Sequence, residues 1–432
     1  MKIAFALIVI LVTFSSCRDD GIGPITQNIR VGVEDIGVTD VWLRVQVVDS
    51  LRHRGTLMLT RNDSIIRTFS SPPGDTTFVD ESLLPKKSYT YRARMLYDGF
   101  RAENSEPLTI TTMDTTNHDF TWQIDTLGDG NSSALYDVAI INDTLVYAVG
   151  EIYKRDSTGQ VGYDCYNLAK WNGRNWELLK IQFYTICGQS GRTAYPAKSV
   201  IAFSASDIWV AMDGSQIAQW DGTSQISTMC IPIVVNKLWG TSGSDIYAVG
   251  SMGAIAHYDG RAWQKMESGT DVDIQDIWGM VNPSTGERLI LCAVSKAYWI
   301  GGQKILRIAE NNQVDTVTWV SGRRPHSIWF DKSLRVHACG DGVFRRNPDG
   351  QWQELADASV LPVFTERLRG QENNDVFVVG DFGAVAHFNG VGFRLYPQVS
   401  AALVYNGLDY NGRQMVSVGY SSDRAIVLRM SR

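Results

Sequence analysis

Leu238-Trp239-Gly240, then Ser244-Asp245-Ile246-Tyr247-Ala248-Val249-Gly250, then Ile255-Ala256-His257-Tyr258-Asp259-Gly260-Arg261-Ala262-Trp263 is the stretch on which the reading of this chain turns. It divides into four short apolar or alternating runs of strand length, separated by turn residues. The Asp259-Gly260 dipeptide, at the third break, predicts a two-residue hairpin with positive φ at both central positions. The same sentence recurs as Leu368-Arg369-Gly370, Asp375-Val376-Phe377-Val378-Val379-Gly380 and Val385-Ala386-His387-Phe388-Asn389-Gly390. It recurs again as Asp207-Ile208-Trp209-Val210-Ala211 with Ile217-Ala218-Gln219-Trp220-Asp221-Gly222. Weaker copies surround Val146–Gly150 and Val336–Gly340, and degenerate ones surround Leu291–Val294 and Met415–Gly419.

A period of roughly 40 residues carrying four strands is the size of one propeller blade. One such sheet cannot bury both faces, so copies must stack around an axis. Seven units are counted when the first begins near Ala134, with six and eight as the alternatives. The last copy stops at Val427-Leu428-Arg429-Met430, a third strand without a fourth, while Phe120-Thr121-Trp122-Gln123-Ile124 stands alone before the first. These leftovers predict a blade shared between the two ends of the segment 120–432. The repeat resembles the propeller repeats of secreted bacterial lipoproteins. It lacks the Gly-His of WD repeats, the Gly-Gly of kelch repeats and the one-residue Asp-to-Gly gap of sialidase Asp-boxes.

Composition agrees with an all-β chain. Of 432 residues, 44% are hydrophobic and 20% charged, with 39 Gly and 13 Trp, which excludes both a disordered chain and a long coiled coil. A net charge of −6 argues against a general nucleic-acid binder. At the N-terminus, Lys2 and the apolar run Ile3–Phe14 form a segment of signal-peptide length, too short to span a bilayer comfortably. Phe14-Ser15-Ser16-Cys17 resembles a bacterial lipobox, with Phe14 in place of the usual Leu. The resemblance implies removal of residues 1–16, lipidation of Cys17 and a tether over 17–23. Arg18-Asp19-Asp20 resembles the surface-export signal of Bacteroidota lipoproteins. The expected location is therefore the outer membrane or cell surface, with a periplasm-facing orientation as the alternative and membrane attachment through lipid only.

Residues 24–113 read as short strands, with Val41, Leu43, Val45 and Val47 alternating as on a half-buried strand. Leu83-Leu84-Pro85-Lys86-Lys87-Ser88-Tyr89 has the L-x-P-x-x-x-Y spacing of fibronectin type III domains, and Trp42 stands where that family places an early core Trp. The resemblance implies a β-sandwich that serves as a spacer or adhesion module. Residues 114–119 form a linker, and 120–432 form the ring.

Chemistry is harder to find. His257 and His387 share one repeat position with Lys170, Gln219 and Arg345, which points to a blade-surface slot rather than catalysis. His337 replaces a core aromatic. Asp271, Asp273 and Asp276 lack the Gly and terminal Glu of a calcium loop and read as a solvated connection. No zinc motif is present, so neither a metal nor a cofactor is expected. After Cys17, five cysteines remain; Cys292 and Cys339 read as buried, and Cys165–Cys187 is the pairing expected.

Binding in such a ring occurs at the axial mouth, where irregular loops carry the information. The first unit contributes Tyr153, Arg155, Asp156, Tyr163 and Asp164 from one insertion and Tyr184, Arg192 and Tyr195 from another. Tyr298, Trp299, Arg323 and Arg324 lie in loops farther round. Aromatics mixed with Arg suit sugars or an acidic peptide. The function expected is a monomeric binding or scaffold protein for a glycan or protein partner. A glycan-active enzyme and a purely structural envelope component are the alternatives; the enzyme would need two carboxylates at catalytic separation facing the axis.

Overall fold

The computed structural model describes residues 29–47, 55–70, 74–97, 102–162, 164–281, 286–296, 299–320 and 322–432. Cys17, Tyr163 and Tyr298 lie outside the described residues, as do the signal and tether segments. The chain divides into two compact units. The first takes residues up to 32, 43–78 and 89–110; the second takes 33–42, 79–88 and 111–432.

Before the linker, the strands form two antiparallel sheets. One has three strands, with Asp40–Val47 between Ile29–Ile36 and Asp75–Glu81. The other runs Ser64–Ser70, Gly55–Arg61, Ser88–Tyr97, Ala102–Asn104, and Leu108–Thr111 also pairs with Ser88–Tyr97. Val41, Leu43, Val45, Val47, Tyr89, Tyr91 and Trp42 are all buried.

After the linker, the described residues form seven four-stranded antiparallel sheets in chain order, and the architecture is a β-propeller. Each sheet opens with an inner strand: Ala134–Asn142, Ala197–Ser204, Val235–Ser242, Ile274–Val281, Pro325–Trp329, Thr365–Glu372 and Val404–Tyr410. Every inner strand packs against that of the next sheet, and the seventh packs against the first, which closes the ring. The seventh sheet is completed by Thr121–Leu127 pairing antiparallel with Arg424–Ser431. Between sheets, apolar faces interleave: Trp239, Tyr247 and Val249 of the third meet Ile277, Ile290 and Cys292 of the fourth.

The hairpin turns differ from the two-residue form the sequence predicts. Gly173, Gly222, Gly260 and Gly390 have φ near +90°, whereas the preceding Asp or Asn does not enter the left-handed region. Instead that side chain accepts hydrogen bonds from the backbone two and three residues on. Asp259 Oδ1 accepts the amides of Arg261 and Ala262, both at 2.9 Å, and Asn172 does the same for Arg174 and Asn175. The dipeptide thus recurs for its carboxylate or amide oxygen as much as for its glycine.

Three further expectations are corrected. Cys187 pairs with Cys230, while Cys165 is buried and directs its thiol to the Ala194 carbonyl. The slot of His257 and His387 is not a blade surface: His387 is fully buried, and both rings bond the Asp that opens the second strand, at 2.7 Å to Asp245 and 2.8 Å to Asp375. Asp276 lies in the centre of the ring, fully buried, rather than in a solvated connection.

Candidate functional site

All seven inner strands carry a bulge at the same repeat position. The register against the second strand skips one residue in each sheet: Tyr136, Lys198, Asn236, Gln275, His326, Glu366 and Asn406. A bulge re-aims side chains locally, so two successive residues can face the axis where a regular strand would offer one. All seven skipped residues line a single axial cavity of about 440 Å³, together with Arg324, Phe364, Asp381, Val404 and Tyr420.

The repeat glycine makes room for this bulge. A Cβ on Gly250 would stand 1.7 Å from the Val234 carbonyl oxygen, and one on Gly419 would stand 1.9 Å from that of Val404. Gly150, Gly340 and Gly380 meet the equivalent carbonyls of Ala134, Arg324 and Phe364 at 2.1, 1.9 and 2.3 Å. In five of the seven sheets, the glycine at or near the end of the second strand is therefore required by close backbone approach at the mouth.

Residues just after the bulges, with Arg369 and Asp409 two positions farther along, form the floor. Asp137, from the first sheet, accepts Lys237 Nζ of the third at 2.6 Å, Ser199 Oγ of the second at 2.7 Å and the Val200 amide at 2.9 Å. Asp276, from the fourth sheet, repeats the arrangement with sheets five and six. It accepts Ser327 Oγ at 2.6 Å, the Ile328 amide at 3.1 Å, and Arg369 through two bonds of 2.9 Å, with Arg367 also at 2.9 Å. Even the serines act alike, since Ser199 Oγ accepts the Leu238 amide and Ser327 Oγ that of Leu368. Burial pushes both carboxyls up, but Lys237 and Arg367 around Asp137, and Arg369 and Arg367 around Asp276, outweigh it and hold both below the usual carboxylate range. Asp409, from the seventh sheet, completes the layer; burial raises its pKa, and it accepts the Ile140 amide at 2.7 Å. Below this layer lies a second cavity of about 210 Å³ against Ile277, Trp239 and Trp278. The axis is thus a floored cup rather than an open channel.

Around the rim of the cup, most polar groups are already bonded. Asn236, Gln275 and Asn406 donate to backbone carbonyls of Ile274, Ser295 and Leu135. Tyr136 donates to Glu151 at 2.6 Å, and Lys198 lies 4.6 Å over the Tyr136 ring. On the sixth sheet, Glu366 bonds His326 Nε2 at 2.9 Å. Burial pushes Glu366 up, but His326 outweighs it and holds the carboxyl low. Asp381 is shifted the other way, by burial and by the Glu366 charge, and makes no side-chain hydrogen bond or ion pair among the described residues.

Of the residues singled out from sequence, Arg324 lines the cup, forked onto Asp341 with bonds of 2.8 and 2.7 Å and resting 4.7 Å from the Phe364 ring centre. Arg323 pairs with Glu354 at 3.2 Å. Tyr153 donates to Glu151, Arg155 donates to the Gly159 carbonyl, and Asp156 caps its own turn through Thr158 and Gln160. Asp164 accepts the Thr193 hydroxyl, and Arg192 stacks on Tyr184 across a two-stranded hairpin. Tyr195 packs on the core, and Trp299 is 74% exposed. Sequence reasoning missed the seven mouth residues and the ionic floor. Their available signal was the pair of polar residues before the Leu-Trp-Gly-like ending in six of the seven sheets, as in Asn236-Lys237 and Gln275-Asp276.

No protein-family model and no curated protein matches the chain. Among solved structures, YCF48 from Cyanidioschyzon merolae is similar at 15% identity and a TM-score of 0.50, covering 71% of this chain and 98% of that one. A YCF48 bound to D1 peptide is similar at 16% identity and 0.48, covering 72% and 97%. A BBS1N structure in complex with ARL6DN follows at 12% identity and 0.48, covering 72% and 95%. Similarity at this level is one of fold.

Proposed function

We propose that this is a lipid-anchored, surface-exposed binding protein in which a seven-bladed propeller holds a protein partner at its axial mouth. Residues 1–16 would be the removed signal, Cys17 the lipidated residue, and the fibronectin type III-like sandwich the spacer. The observation that carries the reading is the sevenfold bulge. Every sheet gives up a regular pairing to place one polar side chain in the same cavity; Asn236 and Asn406 also tie adjacent inner strands, but all seven side chains converge on one space. The ionic floor makes the cavity a cup with a bottom, suited to holding a group rather than passing one.

The test is position-specific photocrosslinking on intact cells, with a photoreactive residue in place of Gln275 at the mouth or Val391 on the opposite end of the sixth sheet. Crosslinks to a discrete protein from position 275 and none from 391 are expected; equal capture from both ends defeats the proposal. Metabolic labelling with an alkynyl fatty acid, lost in Cys17→Ser, tests the anchor.

A glycan-active hydrolase is the second reading, favoured by one observation. Glu366 and Asp381 both line the cup, and their surroundings push the two pKa values in opposite directions, as an acid and a base require. Release of sugar from glycan substrates, lost in both Glu366→Gln and Asp381→Asn, would establish it.

A further inference from the structure

The four most exposed large hydrophobic side chains among the described residues are Met252, Phe382, Trp299 and Ile300, at 77, 76, 74 and 68%. All four sit on loops joining second to third strands, on the mouth face, from the third, fourth and sixth sheets. Chance scatter would not choose one face. Met252 and Phe382 also share a built geometry. Ser251-Met252-Gly253-Ala254 and Asp381-Phe382-Gly383-Ala384 make the same set of backbone hydrogen bonds. In each, the glycine before the loop bonds the alanine carbonyl, and the alanine amide returns to the first loop residue. In both loops the bulky residue is left-handed, with φ of 57° and 55°. A bulky side chain in that region is strained, and glycine would fit without strain. These loops therefore keep a large apolar side chain in water at a conformational cost, twice.

Pairing at the mouth is also incomplete. The floor balances as a set, with Asp137, Asp276 and Asp409 against Lys237, Arg367 and Arg369. Above it, Lys198 lies over the Tyr136 ring, Arg324 is forked onto Asp341, and His326 bonds Glu366. Asp381, with Arg324 and His326 nearby, makes no side-chain hydrogen bond or ion pair among the described residues, and it directly precedes Phe382. One loop thus carries an unpaired carboxylate at the cup and an apolar side chain outside it.

We propose that the mouth face docks a protein segment bearing one lysine or arginine flanked by large apolar side chains. The cation enters the cup at Asp381, and its neighbours cover Phe382, Met252 and the Trp299-Ile300 tip. This rests on the reading of the mouth as a partner-binding surface and names the chemistry of the partner. It reverses the expectation of an acidic peptide.

The test uses the full chain in detergent and a fluorescein-labelled dodecapeptide with a central lysine flanked on each side by phenylalanine and leucine. Companion peptides carry norleucine for the lysine, or serines for the apolar flanks. The lysine peptide is expected to bind at least about 10-fold more tightly than either companion. Asp381→Asn should remove the preference for lysine over norleucine. Phe382→Gly should weaken binding about 10- to 100-fold, as loss of a buried Phe contact does, while the thermal midpoint stays level or rises. Equal binding of the lysine and norleucine peptides overturns the proposal, as does an unaltered affinity in Phe382→Gly. So does binding to vesicles of phosphatidylethanolamine and phosphatidylglycerol that Phe382→Gly abolishes, because the face would then be a bilayer contact. Failure of every peptide while mouth crosslinks still capture a protein ends this inference and leaves the broader reading standing; failure of both ends both.

Discussion

Replacing Asp276 with Asn removes one negative charge from the ring centre and changes side-chain volume little. The carboxylate is fully buried and receives Arg367, both terminal nitrogens of Arg369, Ser327 and the Ile328 amide. Without it, two buried guanidiniums lose their counter-charge, and breaking a buried pair in this way costs about 3–5 kcal/mol. With an unfolding entropy of about 2.1 cal/mol/K per residue over roughly 310 residues, that corresponds to a fall in melting temperature of about 5–8 °C. Differential scanning calorimetry of the purified chain at pH 7 measures it. Arg394→Ala is the control: its pair with Asp119 is 50% and 78% exposed, so the shift should stay under about 1.5 °C. Because the Asp276 pKa is lowered on folding, its stabilisation is present above the unfolded carboxylate value near 4 and fades as pH falls below it. Mutant and parent should therefore converge in acid. The triple replacement Asp276→Leu, Arg367→Met, Arg369→Leu removes the charges together and should recover at least half of the loss. A single mutant melting within about 1.5 °C of the parent would refute the ionic floor. A triple mutant no better than the single would refute uncompensated charge as the cause.

His337→Phe should stabilise the chain by about 1–3 kcal/mol in denaturant titration, because neither ring nitrogen of this buried residue makes a hydrogen bond of normal geometry. Burial lowers its pKa to about 3, so the parent loses stability as pH falls from about 6.5 toward 3, and the variant should lose that slope. Gly250→Ala should destabilise by at least about 2 kcal/mol, since its Cβ would stand 1.7 Å from a carbonyl oxygen. Gly392→Ala, with nothing within 4 Å, should be neutral by the same titration. Non-reducing peptide mapping should find Cys187 joined to Cys230 and Cys165 alkylated only after unfolding.

The repeated sheets were legible because their signals are chemical and recurrent. In five of the seven sheets Asp-Gly or Asn-Gly stands at one turn, an aromatic ring fills the position of Tyr247 (Tyr147, Trp209, Tyr247, His337, Phe377), and the strands between alternate or stay apolar. The mouth was not legible because its seven positions hold Tyr, Lys, Asn, Gln, His, Glu and Asn, with no shared residue type to reveal a shared place. A bulge leaves no side-chain signature of its own. Its trace lies on the partner strand, in Gly150, Gly250, Gly340, Gly380 and Gly419, where a missing Cβ looks like a strand ending. Asp276 misled for a related reason: beside Asp271 and Asp273 it has the look of a wet loop, and only the ring brings Arg369 to it from 93 residues away. The irregular insertions drew attention by composition, yet most of their polar groups are spent holding the insertions together.

The pairing of Thr121–Leu127 with Arg424–Ser431 has a consequence in time rather than in space. Thr121 and Ser431 are 310 residues apart, so this sheet cannot be completed until nearly the whole segment has been synthesised. Until then the growing arc has an unpaired strand edge at each end, the kind of surface on which chains associate. Long-range closure is intrinsically slow. The vulnerable species along the folding path is therefore an almost finished arc, and its lifetime is set by how fast Thr121–Leu127 finds Arg424–Ser431.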